Sequence, residues 1–318
     1  MTLPKLDIYK FIFRLKVLDS LDVPEYKGAM IRGAFGYAFK KVTCITRMNE
    51  CEPCMLKETC SYFKIFETEM PDNNIPYLHG VRKMPHPFVL HPPEDSRREY
   101  EKNGEMDVGV TLFGKGISYF PFFVYTFIKM GEYGLGKGRG HFELKEVFSL
   151  GHSGRKTRIY DSKTAKIKTV YKPINLKKLI SGYPESPARV TLSFTTPFRY
   201  QTENKVVWNP KLLDINRVLR NIEKRICSLA ALYGAAQIPE MGKPEYGELA
   251  ISENGLTYKD WERYSTRQKK RHSLGGFSGK LTLAGDLSMV MPLLVTGSVV
   301  NIGKNTLFGL GAYTLSAE

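Results

Sequence analysis

GVTLFGKGISYFPFFVYTFIKMGEYGLG, residues 109–136, and KLTLAGDLSMVMPLLVTGSVVNIGKNTLFGLG, residues 280–311, decide the fold. Each places a short alternating stretch before a long apolar run, and each closes on GLG. Gly114 and Gly134 are 20 positions apart and Gly285 and Gly309 are 24 apart, so the register survives with a small insertion. Two such copies in one chain read as an internal duplication.

Outward from these runs the halves keep matching. Ile8 to Val17 alternates as a half-buried strand does, with Phe11, Phe13, Leu15 and Val17 on one side and Lys10, Ile12, Arg14 and Lys16 on the other. Lys27 to Lys41 then sets Met30, Ile31, Ala34, Phe35, Ala38 and Phe39 at helical spacing. In the second half Arg189 to Phe194 alternates, and a helix is predicted from about Pro210 to Tyr233 with Ile215, Leu219, Ile222, Ile226, Leu229 and Tyr233 as its core stripe. Each half is thus strand, helix, middle strands, apolar helix, final strand. That order predicts an α+β protein of two tandem ferredoxin-like (RRM-like) βαββαβ domains, residues 1–184 and 185–318, with a cysteine-rich loop inserted in the first. The polar connector GHSGRKTRIYDSKTAKIKTVYKPINLKK reads as either a long hairpin or a surface loop.

The 318 residues carry 47 Lys plus Arg against 32 Asp plus Glu, a net charge of +15, and the pI is near 9.4. This excess points to a polyanionic partner, nucleic acid first and an acidic membrane surface second. A hydrophobic share of 42% excludes a disordered chain. The N-terminus, MTLPKLDIYKFIFRLKV, is interrupted by charges and lacks a signal-peptide core, so a cytoplasmic protein is expected. The apolar runs Ile117 to Ile128 and Leu287 to Ile302 are shorter than the roughly 20 residues of a membrane helix and contain Pro121 and Pro292, which makes them buried elements.

Cys44, Cys51, Cys54 and Cys60 crowd into CITRMNECEPCMLKETC, where thiolates on a tight loop can surround one soft ion. A structural zinc leads; an iron–sulfur cluster and free or disulfide-linked thiols are the alternatives, since the spacing is not that of a standard finger. Cys227, beside Ile226 on the long helix, reads as a buried small hydrophobe. YGLGKGRGHFEL (133–144) and NIGKNTLFGLGAY (301–313) are not nucleotide-binding motifs, because neither has the strand-then-helix setting of a dinucleotide fold and neither is GxxxxGK[ST]. They suit backbone N–H groups and the cations Lys137, Arg139 and Lys304 brought against phosphates.

The ordered series RGAFGYAFKKVTC, the cysteine cluster, GLGKGRGHFEL, WERYSTRQKKRHSLGGFSGKLTLAGDL and GKNTLFGLGAY resembles the RAMP-superfamily endoribonucleases that process CRISPR precursor RNA. The resemblance spans nearly the whole chain. It implies a glycine-rich RNA-contacting loop at the end of the chain, CRISPR repeat RNA as partner, and cleavage within the repeat without a catalytic metal. It also admits other CRISPR effector subunits or a homodimer. Many relatives carry a histidine in or after the first helix and another before the terminal GK. Here Gly28 to Lys41 contains none, and Asn301 stands before the GK.

The catalytic candidates are therefore His272, Tyr37 and Lys304, with His141 behind them. Those for RNA contact are Lys137, Arg139, Arg267, Lys269, Lys270, Arg271, Gly303, Lys304, Gly309 and Gly311. His79, His86, His91 and His152 read as ordinary loop residues. A non-cleaving RNA-binding scaffold of the same superfamily, and a zinc-containing regulator or DNA-binding module, are the competing functions.

Overall fold

The computed structural model describes residues 3–67, 75–78, 84–202, 205–234, 240–241, 246–265 and 270–318, with only the backbone at 76, 262–265 and 270–272. The chain divides into two compact units: Leu6–Ile174 with Leu229–Ala236, and Met1–Lys5 with Asn175–Ser228 and Gln237–Glu318.

The first unit runs β1 (Ile8–Val17), β2 (Leu21–Asp22), α1 (Gly28–Thr43), α2 (Ser61–Phe66), β3 (Phe88–His91), β4 (Glu99–Tyr100), β5 (Glu105–Phe113), α3 (Phe120–Tyr133), β6 (Phe142–Leu150), β7 (Lys156–Asp161) and β8 (Lys166–Ile167). Its main sheet has the order β3-β5-β1-β6-β7-β8, antiparallel throughout. The first four strands are in ferredoxin-like order, and β2 pairs with β4 apart from them. The polar connector is a hairpin: β7 and β8 extend the sheet beyond β6. The alternation of β1 turns Phe11 and Phe13 under the helices, where Phe11 stacks on Phe120 at 4.3 Å and Phe13 meets Phe127 at 4.4 Å. Phe35 of α1 packs on Phe123 of α3 at 4.8 Å. Fully burying a phenylalanine is worth about 1.5–3 kcal/mol, so this stack of rings dominates the unit's stability.

The second unit begins with α4 (Leu176–Ile180) and continues β9 (Arg189–Phe198), β10 (Gln201–Thr202), β11 (Lys205–Val206), α5 (Ile215–Tyr233), β12 (Leu249–Asn254), β13 (Thr257–Lys259), β14 (Glu262–Ser265), β15 (Lys270–Ser273), β16 (Gly276–Gly285), α6 (Met291–Val300) and β17 (Tyr313–Ala317). The sheet order β12-β16-β9-β17 is again ferredoxin-like, with β13 also on β16. The pairs β10–β11 and β14–β15 are separate ribbons. The helix expected from Pro210 starts later: Pro210–Leu212 is a 3-10 turn, and α5 begins after Asp214, whose carboxylate accepts the N–H groups of Asn216 and Arg217. The apolar run at 287–302 becomes α6, in which Leu293, Leu294, Val295 and Val300 are all buried. Tyr313 of β17 donates its hydroxyl to Leu294 O at 2.6 Å, and a Cβ at Gly297 would strike that hydroxyl, so helix and final strand are in close contact.

Candidate nucleic-acid interface

The terminal glycine string is wired to its own unit. Asn301, 1% exposed, ends α6 with φ at 57°. Its Nδ2 donates to Gly309 O and Leu310 O, and its carbonyl accepts from Arg225 Nε of α5 at 2.6 Å. Thr196 of β9 donates to Gly309 O and accepts from Ala312 N. Lys304 N–H goes to Arg199 O, Gly309 N–H to Thr306 O and Gly311 N–H to Pro197 O. Gly303, Gly309 and Gly311 have φ of 82°, 82° and 74°. A Cβ would strike Arg199 O from Gly303 and Ile302 O from Gly311.

The close approach these glycines allow is therefore to the chain itself. This corrects the expectation of a backbone cradle at Gly309 and Gly311, which are buried with their N–H groups already committed. Gly303 is half-buried, and its N–H has no acceptor among the described residues. Lys304 projects from the string into solvent.

Beside it lies a cleft of about 270 Å³ lined by Arg199, Gln201, Ser273, Lys304, Asn305 and Phe308, together with Leu274. Arg199, at the end of β9, donates through Nη1 to Gly275 O at 2.8 Å and Ser273 Oγ at 3.3 Å. Ser273 in turn donates to Asp260 Oδ1 at 2.7 Å. A guanidinium, an ammonium, a hydroxyl and an amide thus share one concave wall, which suits a phosphodiester. Partial burial, with Lys304 and Arg220 close by, holds the Lys224 ammonium below the ordinary lysine value, so positive charge accumulates around the string.

His272 is on β15, opposite Arg263, and immediately precedes Ser273 of the cleft; Lys270 and Arg271 share that strand. The side chains of these three residues are outside the described part, as are Arg267, Lys269 and His79 altogether.

In the first unit the string at 133–144 is built differently. A Cβ at Gly134, Gly136 or Gly140 would strike Arg139 O, Asp22 O or Ser20 O, whereas Gly138, with φ at 86°, faces open space. Lys137 and Arg139 flank it and are exposed, without a side-chain partner among the described residues. His141 Nδ1 lies 2.7 Å from Asp19 Oδ2, and this bond holds the Asp19 carboxyl below its usual range. Tyr37 is 59% exposed on α1, edge-on to Tyr133 at 5.9 Å with Lys41 Nζ 5.7 Å from its ring.

The remaining histidines are structural or superficial. His86 bonds to Ile65 O and His91 to Thr111 Oγ1. Burial, helped by Lys10, pushes the His91 imidazole down to about 3, so it stays neutral. His152 is exposed in the β6–β7 turn. Cys227 is buried on α5, and burial pushes its thiol up to about 11.

Arg199, Gln201 and Asp19 carry no local motif, and nothing within WERYSTRQKKRHSLGGFSGKLTLAGDL singles out Ser273. The available signal was a cation at the end of β9, the strand that pairs with the one following the string.

Two tandem ferredoxin-like units with a glycine string after each second helix define a RAMP-type protein. Residues 5–172 match the family model of the AF_1859_N N-terminal domain, and residues 192–313 match that of the CRISPR-associated endoribonuclease Cas6. The chain belongs to the AF_1859_N family, whose model spans just over half of it, and joins that domain to a RAMP-type Cas6 domain.

An uncharacterised protein of Archaeoglobus fulgidus is 22% identical over 299 residues, covering 92% of each chain. Among solved structures, a Cas6 product complex superposes with a TM-score of 0.54 at 15% identity, covering 97% of this chain and 100% of that one. Thermus thermophilus Cas6 gives 0.51 at 13%, covering 98% and 99%. A partial Cas6-RT-Cas1–Cas2 complex gives 0.56 at 14%. It covers 100% of this chain but 47% of that one, so this chain spans about half the length of that relative. At these identities the likeness fixes the fold alone. No helix of the described residues is long and apolar enough to cross a membrane.

Proposed function

We propose that this protein is an endoribonuclease that binds CRISPR repeat RNA and cuts it within the repeat, using the ribose 2′-hydroxyl as nucleophile and no catalytic metal. The observation that carries the reading is the cleft of Arg199, Ser273 and Lys304 beside the terminal string, inside the domain that matches the Cas6 endoribonuclease model. In such a cut the P–O2′ bond forms as the P–O5′ bond breaks, leaving a 2′,3′-cyclic phosphate and a 5′-hydroxyl. The 2′-proton passes to a base, and the departing 5′-oxygen takes one from an acid. Lys304 and Arg199 supply fixed positive charge for the non-bridging oxygens, where negative charge grows. His272, next to Ser273 in the strand, is the candidate for proton transfer, because an ordinary imidazole titrates near pH 6.5. Tyr37, with its hydroxyl in solvent, is the candidate on the first unit, where Lys137 and Arg139 offer contacts to the RNA backbone.

Binding is largely electrostatic, in keeping with the net charge of +15, and the protein acts in the cytoplasm. Association with other CRISPR effector subunits belongs to the same reading, one relative having been solved in a Cas6-RT-Cas1–Cas2 complex.

A non-cleaving RNA-binding scaffold is the second reading, favoured by one observation. Asn301, where many relatives are expected to place a histidine, is a buried amide spent on the string's own carbonyls, and α1 carries no histidine.

Labelled cognate repeat RNA incubated with the protein in EDTA separates the two. A 5′-hydroxyl fragment opposite a cyclic phosphate is the expected result. RNA that stays bound and intact establishes the scaffold.

A further inference from the structure

The segment between α1 and α2, residues 44–60, contains turns but no helix or strand, and none of its residues is buried. Ile45 and Met55 are 83% and 90% exposed, so its apolar side chains build no core. What it turns inward instead are thiols: Cys44, Cys51, Cys54 and Cys60 are all half-buried, with Leu56 and Lys57, and all four thiols are free.

All four line a single depression of about 330 Å³. Thr46 Oγ1 lies 3.9 Å from Cys44 Sγ and 3.6 Å from Cys54 Sγ, so one hydroxyl touches sulfurs from two different turns. The Cys54 N–H donates to Cys51 O at 3.1 Å, folding CEPC into a tight turn, and the Cys60 N–H returns to Leu56 O at 2.9 Å. A loop of this length without a core or regular structure has little to offset the entropy of ordering it.

We propose that Cys44, Cys51, Cys54 and Cys60 bind one zinc ion that staples this loop.

Four thiolates form a closed, all-sulfur shell, the donor set of a structural zinc site and unsuited to calcium or magnesium. Among the described residues no three His, Cys, Asp or Glu side chains already stand at ligand distance. The loop must therefore contract to Zn–S distances of about 2.3 Å, which couples binding to local folding. The surroundings are mixed in charge: Lys57 and Glu50 both line the depression, Lys57 Nζ lies 3.3 Å from Glu52 Oε1, and Lys40 Nζ bonds to Asn49 O on the same loop.

The ion's mechanical effect follows from what the loop joins. It leaves α1 after Phe39 and enters α2 before Phe66, and these rings touch at 5.6 Å. A metal that shortens the connection holds α2 against α1. The inference does not depend on whether RNA is cleaved.

The test is elemental analysis of the full chain, purified reduced and without added chelator. About one zinc per chain is expected in the wild type and in Cys227→Ser, and close to none in Cys51→Ser/Cys54→Ser. Limited trypsin digestion provides a second readout. A zinc chelator should hasten cleavage after Arg47 and Lys57 in the wild type and change nothing in the double variant. Iron and sulfide in place of zinc, metal content equal in the wild type and the double variant, or metal-free protein whose digestion is unaffected by the double substitution would each overturn the proposal.

Discussion

Both halves of the chain place a glycine string between the second helix and the final strand, and the two strings differ in what they hold. At 133–144 the glycines lean on Ser20, Asp22 and Arg139, while Lys137, Gly138 and Arg139 form an exposed tip beside a solvent-facing His141–Asp19 pair. At 301–311 the string is buried from Thr306 to Gly311, bonded to Thr196, Pro197 and Arg199, and closed by the amide of Asn301. Both halves have left-handed backbone ahead of the final strand, but the polar side chains around it differ. A titratable pair is on the outside of one half, and a non-titrating amide is inside the other. A single place in a fold can thus be used to expose chemistry or to lock a loop, and the glycines alone do not say which.

The largest effect that separates the strings is steric. Gly311→Val places a branched side chain at φ 74° against Ile302 O, and it should cost about 3 kcal/mol or more in denaturant unfolding. Gly138→Ala meets open space and should cost about 1–2 kcal/mol, the price of a left-handed backbone alone. Equal losses would erase the distinction between a buried and an exposed string.

Next is Asn301→Ala. Gly309 O keeps its bond from Thr196, but Leu310 O loses the Asn301 amide. The expected destabilisation is about 1–3 kcal/mol, the cost of one buried unpaired carbonyl. A neutral substitution would show that the amide does not lock the loop.

A smaller effect is expected on RNA binding. Lys304→Ala should leave unfolding unchanged and reduce the salt dependence of binding to repeat RNA by about one phosphate contact. Under saturating protein it should slow cleavage about tenfold if the ammonium stabilises the transition state by about 1.4 kcal/mol. A wild-type salt slope and rate would remove Lys304 from the interface. Arg139→Ala, on the other string, is expected to shrink the slope without touching the rate.

The smallest effect concerns pH. The hydrogen bond from His141 lowers the Asp19 carboxyl in the folded protein, so whatever the pair contributes is present above the ordinary aspartate range and is lost as pH falls through the lowered value. In His141→Leu the Asp19 titration, followed by carboxyl-carbon NMR, should move back up towards the ordinary aspartate range. An unmoved midpoint would mean that the two side chains do not interact in solution.

The fold was legible because its periods are strong. Phe11, Phe13 and Leu15 alternate cleanly, and the α1 stripe from Ile31 to Phe39 is apolar at helical spacing, so sheet and helix assignments followed from local physics. α5 starts later than its proline suggests: Pro210 suits a first helical turn, but Asp214, four residues on, is the stronger cap. Half of the candidate site was hidden for a different reason. Arg199 and Ser273 are 74 positions apart, and what joins them is the antiparallel pairing of β9 with β16, which no local window contains. Glycine permits both a left-handed backbone and a close approach, but the strings alone could not show that the neighbouring surface is a carbonyl of the same chain. Lys304, by contrast, was legible because a lone lysine within an otherwise uncharged string has little to do inside a core.

The strand orders have a consequence for how the chain is made. In the first unit β1 is central and synthesised first, yet its partners β5 and β6 arrive much later, with Ile8 opposite Phe113 and Lys10 opposite Leu150. In the second unit β9 waits in the same way, flanked by β16 and finally β17, with Val190 opposite Ala317. Such distant pairings carry a large loop-closure cost before any contact rewards them, which slows folding. During translation α3 and α6 each leave the ribosome before the final strand of their own sheet, β6 and β17. Each half therefore passes through an interval in which one edge of β1 or β9 is still open, and that interval is when the nascent protein is most in need of a chaperone.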